Sequence, residues 1–198
     1  METIVAAAHR LGRRCSAHAH GAAGINAALA AGVDSIEHGS FLDDDSIRLF
    51  LERRAFHVPT IIAGMTVFEM AKKGGVLTSA QTEKALIIGE RIKAALARSH
   101  GAGVKIAFGT DMGVGPHGQN AREFGYMVEA GMSPAEAIRA ATVNAAELLD
   151  ISDEAGTITP GKSADLIAVD ADPLAEVTEL ERVRFVMARG QAAKTDRV

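Results

Sequence analysis

Ser16-Ala-His-Ala-His-Gly21 is the stretch whose reading decides the fold: a short apolar run starting at Cys15 closes on histidine and passes at once into a glycine-bearing loop. The same arrangement recurs at Ser35-Ile-Glu-His-Gly39 and again at Ile106-Ala-Phe-Gly-Thr-Asp111. A parallel α/β barrel carries its functional side chains in this way, at the C-terminal ends of strands that each lead through a loop to a helix. Three such strand ends in one chain predict an α/β fold with its working face on one side.

Outward from these strand ends, the chain alternates between strand and helix. Glu2 to Leu11 reads as a helix, with Ile4, Val5 and Ala8 at helical spacing and Gly12 as its stop. Cys15 to His18 is the first strand, Gly24 to Ala31 an Ala-rich helix ended by Gly32, and Val33 to Glu37 the second strand. Asp43, Asp44 and Asp45 precede a helix with Ile47, Phe50 and Leu51 on one face, where three carboxylates suit the positive end of the helix dipole and read as capping. Phe56 to Ile62 is a third strand interrupted by Pro59, which removes a ladder donor. Ala63 to Leu77, with Met65, Met70, Lys72, Lys73, Gly74 and Gly75, reads as a long insertion of adaptable residues with the character of a mobile lid. Thr78 and Gln81 form a capping box for a long helix buried along Ala85, Ile88, Ile92, Ala95 and Leu96 and stopped by Gly101 and Gly103. Lys105 to Thr110 is the fourth strand. Ser133-Pro-Ala-Glu136 opens a last helix, expected to face inward through Ile138, Ala141, Ala145 and Leu148. After Ile151 the texture changes to short β segments, 156–158, 164–169 and 182–187, separated by Pro160-Gly161, Pro173 and Gly190, which predicts a small separate sheet. The domain reading is 1–150 for the α/β part and 151–198 for the small sheet.

Composition narrows the function classes. A net charge of −4, no Trp and 4% aromatic residues give neither a phosphate-binding face nor a stacking platform, so nucleic acid is not an expected partner. The apolar runs fall well short of the ~20 residues of a membrane span, and Met1 to His9 lacks a signal peptide's basic start and cleavage site, so the expected location is cytoplasmic. The single cysteine, Cys15, reads as a buried inert thiol. The 198 residues fall short of the ~250 of a closed eight-stranded barrel, so the sequence predicts a partial barrel that begins partway through the fold.

His18, His38 and Asp111 supply two imidazoles and a carboxylate, a set that suits Zn²⁺ or a similar divalent ion and leaves a position for water. Such an ion lowers the pKa of its water to about 7, and Asp111 is placed to take the proton of the attacking water and pass it to a leaving nitrogen. Two readings stand for each residue, because a lone strand-end histidine is more often a hydrogen-bonded structural group than a ligand. His20 is assigned to the loop beyond the strand, either supporting the ligands or touching substrate. His117, in Gly115-Pro-His-Gly118, is a substrate-contacting candidate or a solvated loop residue. His9, His57 and His100 read as surface or packing residues.

The motifs resemble the second half of an amidohydrolase-superfamily enzyme, in the imidazolonepropionase-like group that includes metal-dependent Xaa-Pro dipeptidases. The resemblance covers nearly the whole chain and rests on the three strand ends, on the run from Asn120-Ala-Arg-Glu-Phe124 to Ala140-Ala-Thr-Val-Asn144, and most specifically on Gly156-Thr-Ile-Thr-Pro-Gly-Lys-Ser-Ala-Asp-Leu166. It implies the C-terminal half of a TIM-type barrel, strands five to eight, with strands of a small β-sandwich. It also implies that His18 and His38 are the metal ligands after strands five and six, and that Asp111 is the strand-eight aspartate that binds metal and shuttles the proton. The implied reaction is hydrolysis of a C–N bond in an amide, cyclic amide or dipeptide by metal-activated hydroxide, with one or two ions, most simply zinc. The family's strand-one His-x-His pair and strand-four lysine have no counterpart here. Unpaired outer strands and an apolar sheet face predict a homo-oligomer or a missing N-terminal half as cover. The competing expectation is a catalytically silent half barrel that oligomerises or binds a partner.

Overall fold

The computed structural model describes residues 1–195. Residues 196–198, the end of the segment assigned to the small sheet, lie outside the described residues. Four parallel strands, β1 (Ser16–Gly21), β2 (Ser35–Phe41), β3 (Phe56–Val58) and β4 (Lys105–Ile106), lie side by side in chain order. Each connection is helical, as parallel pairing requires. The helices are α1 (Glu2–Arg10), α2 (Ala22–Ala30), α3 (Asp44–Arg53), α4 (Ile61–Lys73) and α5 (Ser79–Gly101), followed after β4 by α6 (Arg122–Glu129).

Register fixes which side chains meet the helices. Ala17, Ile36, His57 and Ile106 form one row across the sheet. Ile36 joins Ile25, Leu29, Phe50 and Leu42 in one apolar cluster, and Ile106 joins Ile92, Leu96 and Met127 in another. Burial of these helix-facing side chains at ~25 cal/mol per Å² is the main force holding the layers together. The opposite face carries Ser16, His18 and Glu37 on its β1–β2 half, whereas Phe56, Val58 and Ala107 on its β3–β4 half are covered by Leu148. A three-stranded antiparallel sheet follows, β5 (Leu166–Ala168), β6 (Phe185–Ala188) and β7 (Gln191–Thr195), in that order.

Several elements depart from the sequence-based expectation. β1 extends past His18 to Gly21, and β2 begins at Ser35 but runs to Phe41. The third strand stops at Val58: Pro59 cannot continue the ladder, and α4 starts at Ile61. The region expected as a flexible lid is therefore helical from Ala63 to Lys73, and the helix breaks at Gly74 and Gly75, both at positive φ, with residues 74–77 left outside any helix. Close packing explains the helix. A Cβ on Gly64 would lie 2.9 Å from Ile92 Cδ1, and the Phe68 ring rests directly on Gly89, so two glycines let α4 and α5 approach closely. Within α3, Phe50 is buried but Leu51 is 46% exposed. The final helix runs as α7 (Pro134–Arg139), a π-helical turn (Ala140–Asn144) and α8 (Ala145–Leu148). Ala137, Ala140 and Ala146 are the fully buried positions rather than the expected Ile138, Ala141 and Ala145, the π turn shifting the phase of the part that follows it, while Leu148 packs inward as expected. Residues 156–158 form no strand, and Ile158 is 90% exposed. No helix among the described residues is long and apolar enough to cross a membrane.

Candidate active site

β1 sets the first two ligand candidates. Residues two apart on a strand share a face, so His18 and His20 project together, while Ala17 and Ala19 pack against the helix-side core. His20 thus belongs to the strand itself, with its Nδ1 2.9 Å from Ser40 Oγ.

His38 reaches the same place by a different route. Its register partner is Ala19, and strict alternation would turn it toward the helices with Ile36. Its backbone instead adopts φ 70°, a left-handed conformation uncommon outside glycine, and the ring comes to the open face. There its centroid lies 4.5 Å from His18 and 4.7 Å from His20, and the available ring nitrogens of the three histidines all fall within 4.8 Å of one another.

The hydrogen bonds and the charge state suit ligation. His38 Nδ1 lies 2.6 Å from Thr60 Oγ1, whose own proton goes to the Pro59 carbonyl at 2.8 Å. Nδ1 is therefore the donor, and Nε2 keeps its lone pair, the arrangement that fixes the tautomer of a metal-binding imidazole. Burial, reinforced by His20, His18 and His57, pulls the pKa of His38 down to about 4. Burial and then His18 lower that of His20. Neutral imidazole is the form that binds a metal ion.

Asp111 lines the cavity, of about 160 Å³, into which the three histidines open. It stands outside the set of mutually close ligand atoms, which His18, His20 and His38 make up. The far wall is apolar and comes from the α4–α5 hairpin through Ala63, Gly64, Val67, Ala85, Ile88 and Ile92. His117 is exposed and is not part of this lining. His38 within β2, Thr60 just past β3 and Asp111 in the loop after β4 all have positive φ, and for β-branched Thr60 that is a marked outlier. Strain of this kind costs about 1–3 kcal/mol per residue and gathers at functional sites.

Sequence reasoning passed over Thr60, Ser40 and Glu123. Only Glu123 left a signal, an acidic residue inside an otherwise apolar helical stripe. His9 and His100 face Asp34 and Glu136, and His57 is fully buried. A larger cavity, of about 630 Å³, lies near the opposite ends of the strands, but the polar groups of His9 and Arg14 on its wall are both bonded to Asp34.

Comparison with known proteins agrees with this geometry. Residues 1–193 match the model of the amidohydrolase family. A Xaa-Pro dipeptidase crystallised with methionine in its active site superposes with a TM-score of 0.95 at 44% identity, over 98% of this chain and 48% of that one. A putative prolidase from Bifidobacterium longum gives 0.90 at 34% identity, over 100% and 51%. The ochratoxinase of Aspergillus niger is 36% identical over 94% of this chain and 38% of its own length. The chain thus spans about half the length of these relatives, or less. A chain with these strand-end histidines on this sheet, matched from its first residue to residue 193, belongs to the amidohydrolase family.

Proposed function

We propose that this chain forms strand positions five to eight of a (β/α)8 barrel and, within the complete enzyme, hydrolyses a C–N bond in an amide, cyclic amide or dipeptide. One observation carries the reading: His18, His20 and His38 converge as imidazoles in a cavity shared with Asp111, at the C-terminal ends of parallel strands. Relatives named Xaa-Pro dipeptidase and ochratoxinase support this substrate class.

The donor set fits a divalent ion, zinc above all, because imidazole suits zinc and the tautomer of His38 already leaves Nε2 free. Bound between these nitrogens, zinc would polarise a substrate carbonyl and make water acidic. The protein's own groups do the rest. Asp111 accepts the proton of the attacking water and returns it to the departing nitrogen. The wall of Ala63, Val67, Ile88 and Ile92 holds the apolar part of the substrate and limits water around the reacting bond. His20, steadied by Ser40, stands beside His18 as a third ligand or a substrate contact. His117, on the exposed loop after β4, is assigned to the outer part of the substrate. The remaining ligands and the cover for β1, which among the described residues pairs with β2 alone, come from a further segment or a second chain.

The test is hydrolysis of a panel of dipeptides and cyclic amides by the zinc-loaded protein and by Asp111→Asn. Asp111→Asn should lower kcat by a factor of roughly 10² to 10⁴ with KM little changed. A mutant with near-normal kcat would remove Asp111 from proton transfer, and no hydrolysis by the wild-type protein would favour a silent, partner-binding chain.

A further inference from the structure

His57 takes no part in the proposed chemistry, yet its surroundings are built with unusual care. It belongs to the row Ala17, Ile36, His57 and Ile106 that faces the helices, is fully buried, and lies against the Phe50 ring at 5.8 Å between centroids. From there its Nε2 lies 2.9 Å from the backbone carbonyl of His38, and its Nδ1 lies 2.8 Å from Ser99 Oγ on α5. A carbonyl can only accept, so Nε2 carries the proton; in the neutral ring Nδ1 is an acceptor for the Ser99 hydroxyl, which is shared with the Leu96 carbonyl at 3.1 Å. One chain of hydrogen bonds therefore runs from the outer helix α5, through the sheet, to the residue that must turn over.

That turn is what brings His38 to the site. Its register partner Ala19 faces the helices, and two successive left-handed residues, His38 at φ 70° and Gly39 at φ 60°, end the alternation. The left-handed state costs roughly 1–2 kcal/mol at a non-glycine residue, so something must hold it. The His57 N–H does so at the His38 carbonyl, and the approach is close enough that a Cβ on Gly39 would lie 2.7 Å from His57 Nε2.

We infer that His57 is a positioning residue: with Ser99 behind it, it holds the His38 backbone in the conformation that delivers the imidazole to His18 and His20. The inference rests on the proposed metal centre, in which His38 is a ligand. It differs from simple core filling, which any side chain of similar size would satisfy.

The test uses the full chain, freed of metal, as wild type, His57→Phe, His57→Gln and Ser99→Ala. Zinc is titrated against a competing chelator, and long-range ¹H–¹⁵N spectra of the imidazoles are recorded before zinc is added. In the wild type His38 should appear as the Nδ1–H tautomer. His57→Phe should weaken zinc binding by about tenfold or more, the usual effect of losing a group behind a metal ligand, and should displace the His38 ring signals. His57→Gln, which keeps an N–H donor, should recover most of the affinity, and Ser99→Ala should shift both readouts in the same direction as Phe. Wild-type affinity and unchanged His38 signals in His57→Phe would overturn the inference, as would a Gln variant no better than Phe. If His57→Phe does not fold, Ser99→Ala and His57→Gln decide by the same two readouts. If the wild type binds no zinc, the proposed function fails, and the His38 ring signals still decide on His57.

Discussion

Burial strips hydration from an imidazolium and so favours the neutral ring, and the pKa of about 4 at His38 follows from burial first, with the neighbouring histidines adding to it. The same physics runs in reverse at the exposed Glu136, whose carboxylate is held at about 2 by the Ser133 hydroxyl and amide, with His100 adding to the effect. The sign is that of a depressed acid: the cap's contribution is full above the ordinary value of about 4.5 and disappears as pH falls toward 2. Glu136→Gln should therefore differ from wild type in urea midpoint at pH 6 and converge with it near pH 2. A gap that persists unchanged at low pH would refute this. Among the residues that meet in the cavity, His18 and His38 were legible in the sequence because each follows an apolar run in the strand–helix alternation. The companionship of His20 was not, since it depends on where β1 ends. Nor was the turn at His38, which is set by a hydrogen bond from a residue 19 positions away.

Among the elements, α4 depends most on a distant partner. Its first two amides, Ile61 and Ile62, donate to the two carboxylate oxygens of Glu123 on α6 at 2.9 and 2.7 Å. Burial pushes the pKa of this carboxyl up to about 7, against the opposing pull of the two amides. Removing the cap leaves two buried N–H groups without acceptors, a loss of about 2–4 kcal/mol. Glu123→Ala should lower the unfolding free energy by that amount in a urea titration, and a loss below about 0.5 kcal/mol would show that the cap carries no weight. This dependence is why α4 was not readable from its own residues: methionines, lysines and a Gly-Gly pair carry no local start signal, and the cap comes from about 60 positions away. By contrast α5 announced itself through Thr78 and Gln81, whose reciprocal bonds are present. In the last helix a π turn at Ala140–Asn144 makes Ala146 the buried position in place of Ala145, a shift that periodicity alone does not reveal.

At the scale of the molecule, four parallel strands in sequence order with helical connections follow directly from the strand–helix alternation, and that part of the architecture was legible. The outer edge of β4 is already occupied, since Phe108 N–H donates to the Ala140 carbonyl and Asn144 Nδ2 donates to the Ile106 carbonyl. Among the described residues no strand lies beside the outer edge of β1, and Leu149, Ile158 and Ile167 leave apolar surface between the last helix and the small sheet. Such features ask for a covering surface.

The central claim is that the strand-end histidines form a metal centre. The most direct measurement is elemental analysis of the chain purified without chelator, with solution mass recorded on the same sample, for the wild type and for His18→Ala and His38→Ala. The account predicts about one zinc per chain in the wild type, and loss of most of it in both variants while helical content is kept. A wild-type protein that holds no more metal than either variant would contradict it.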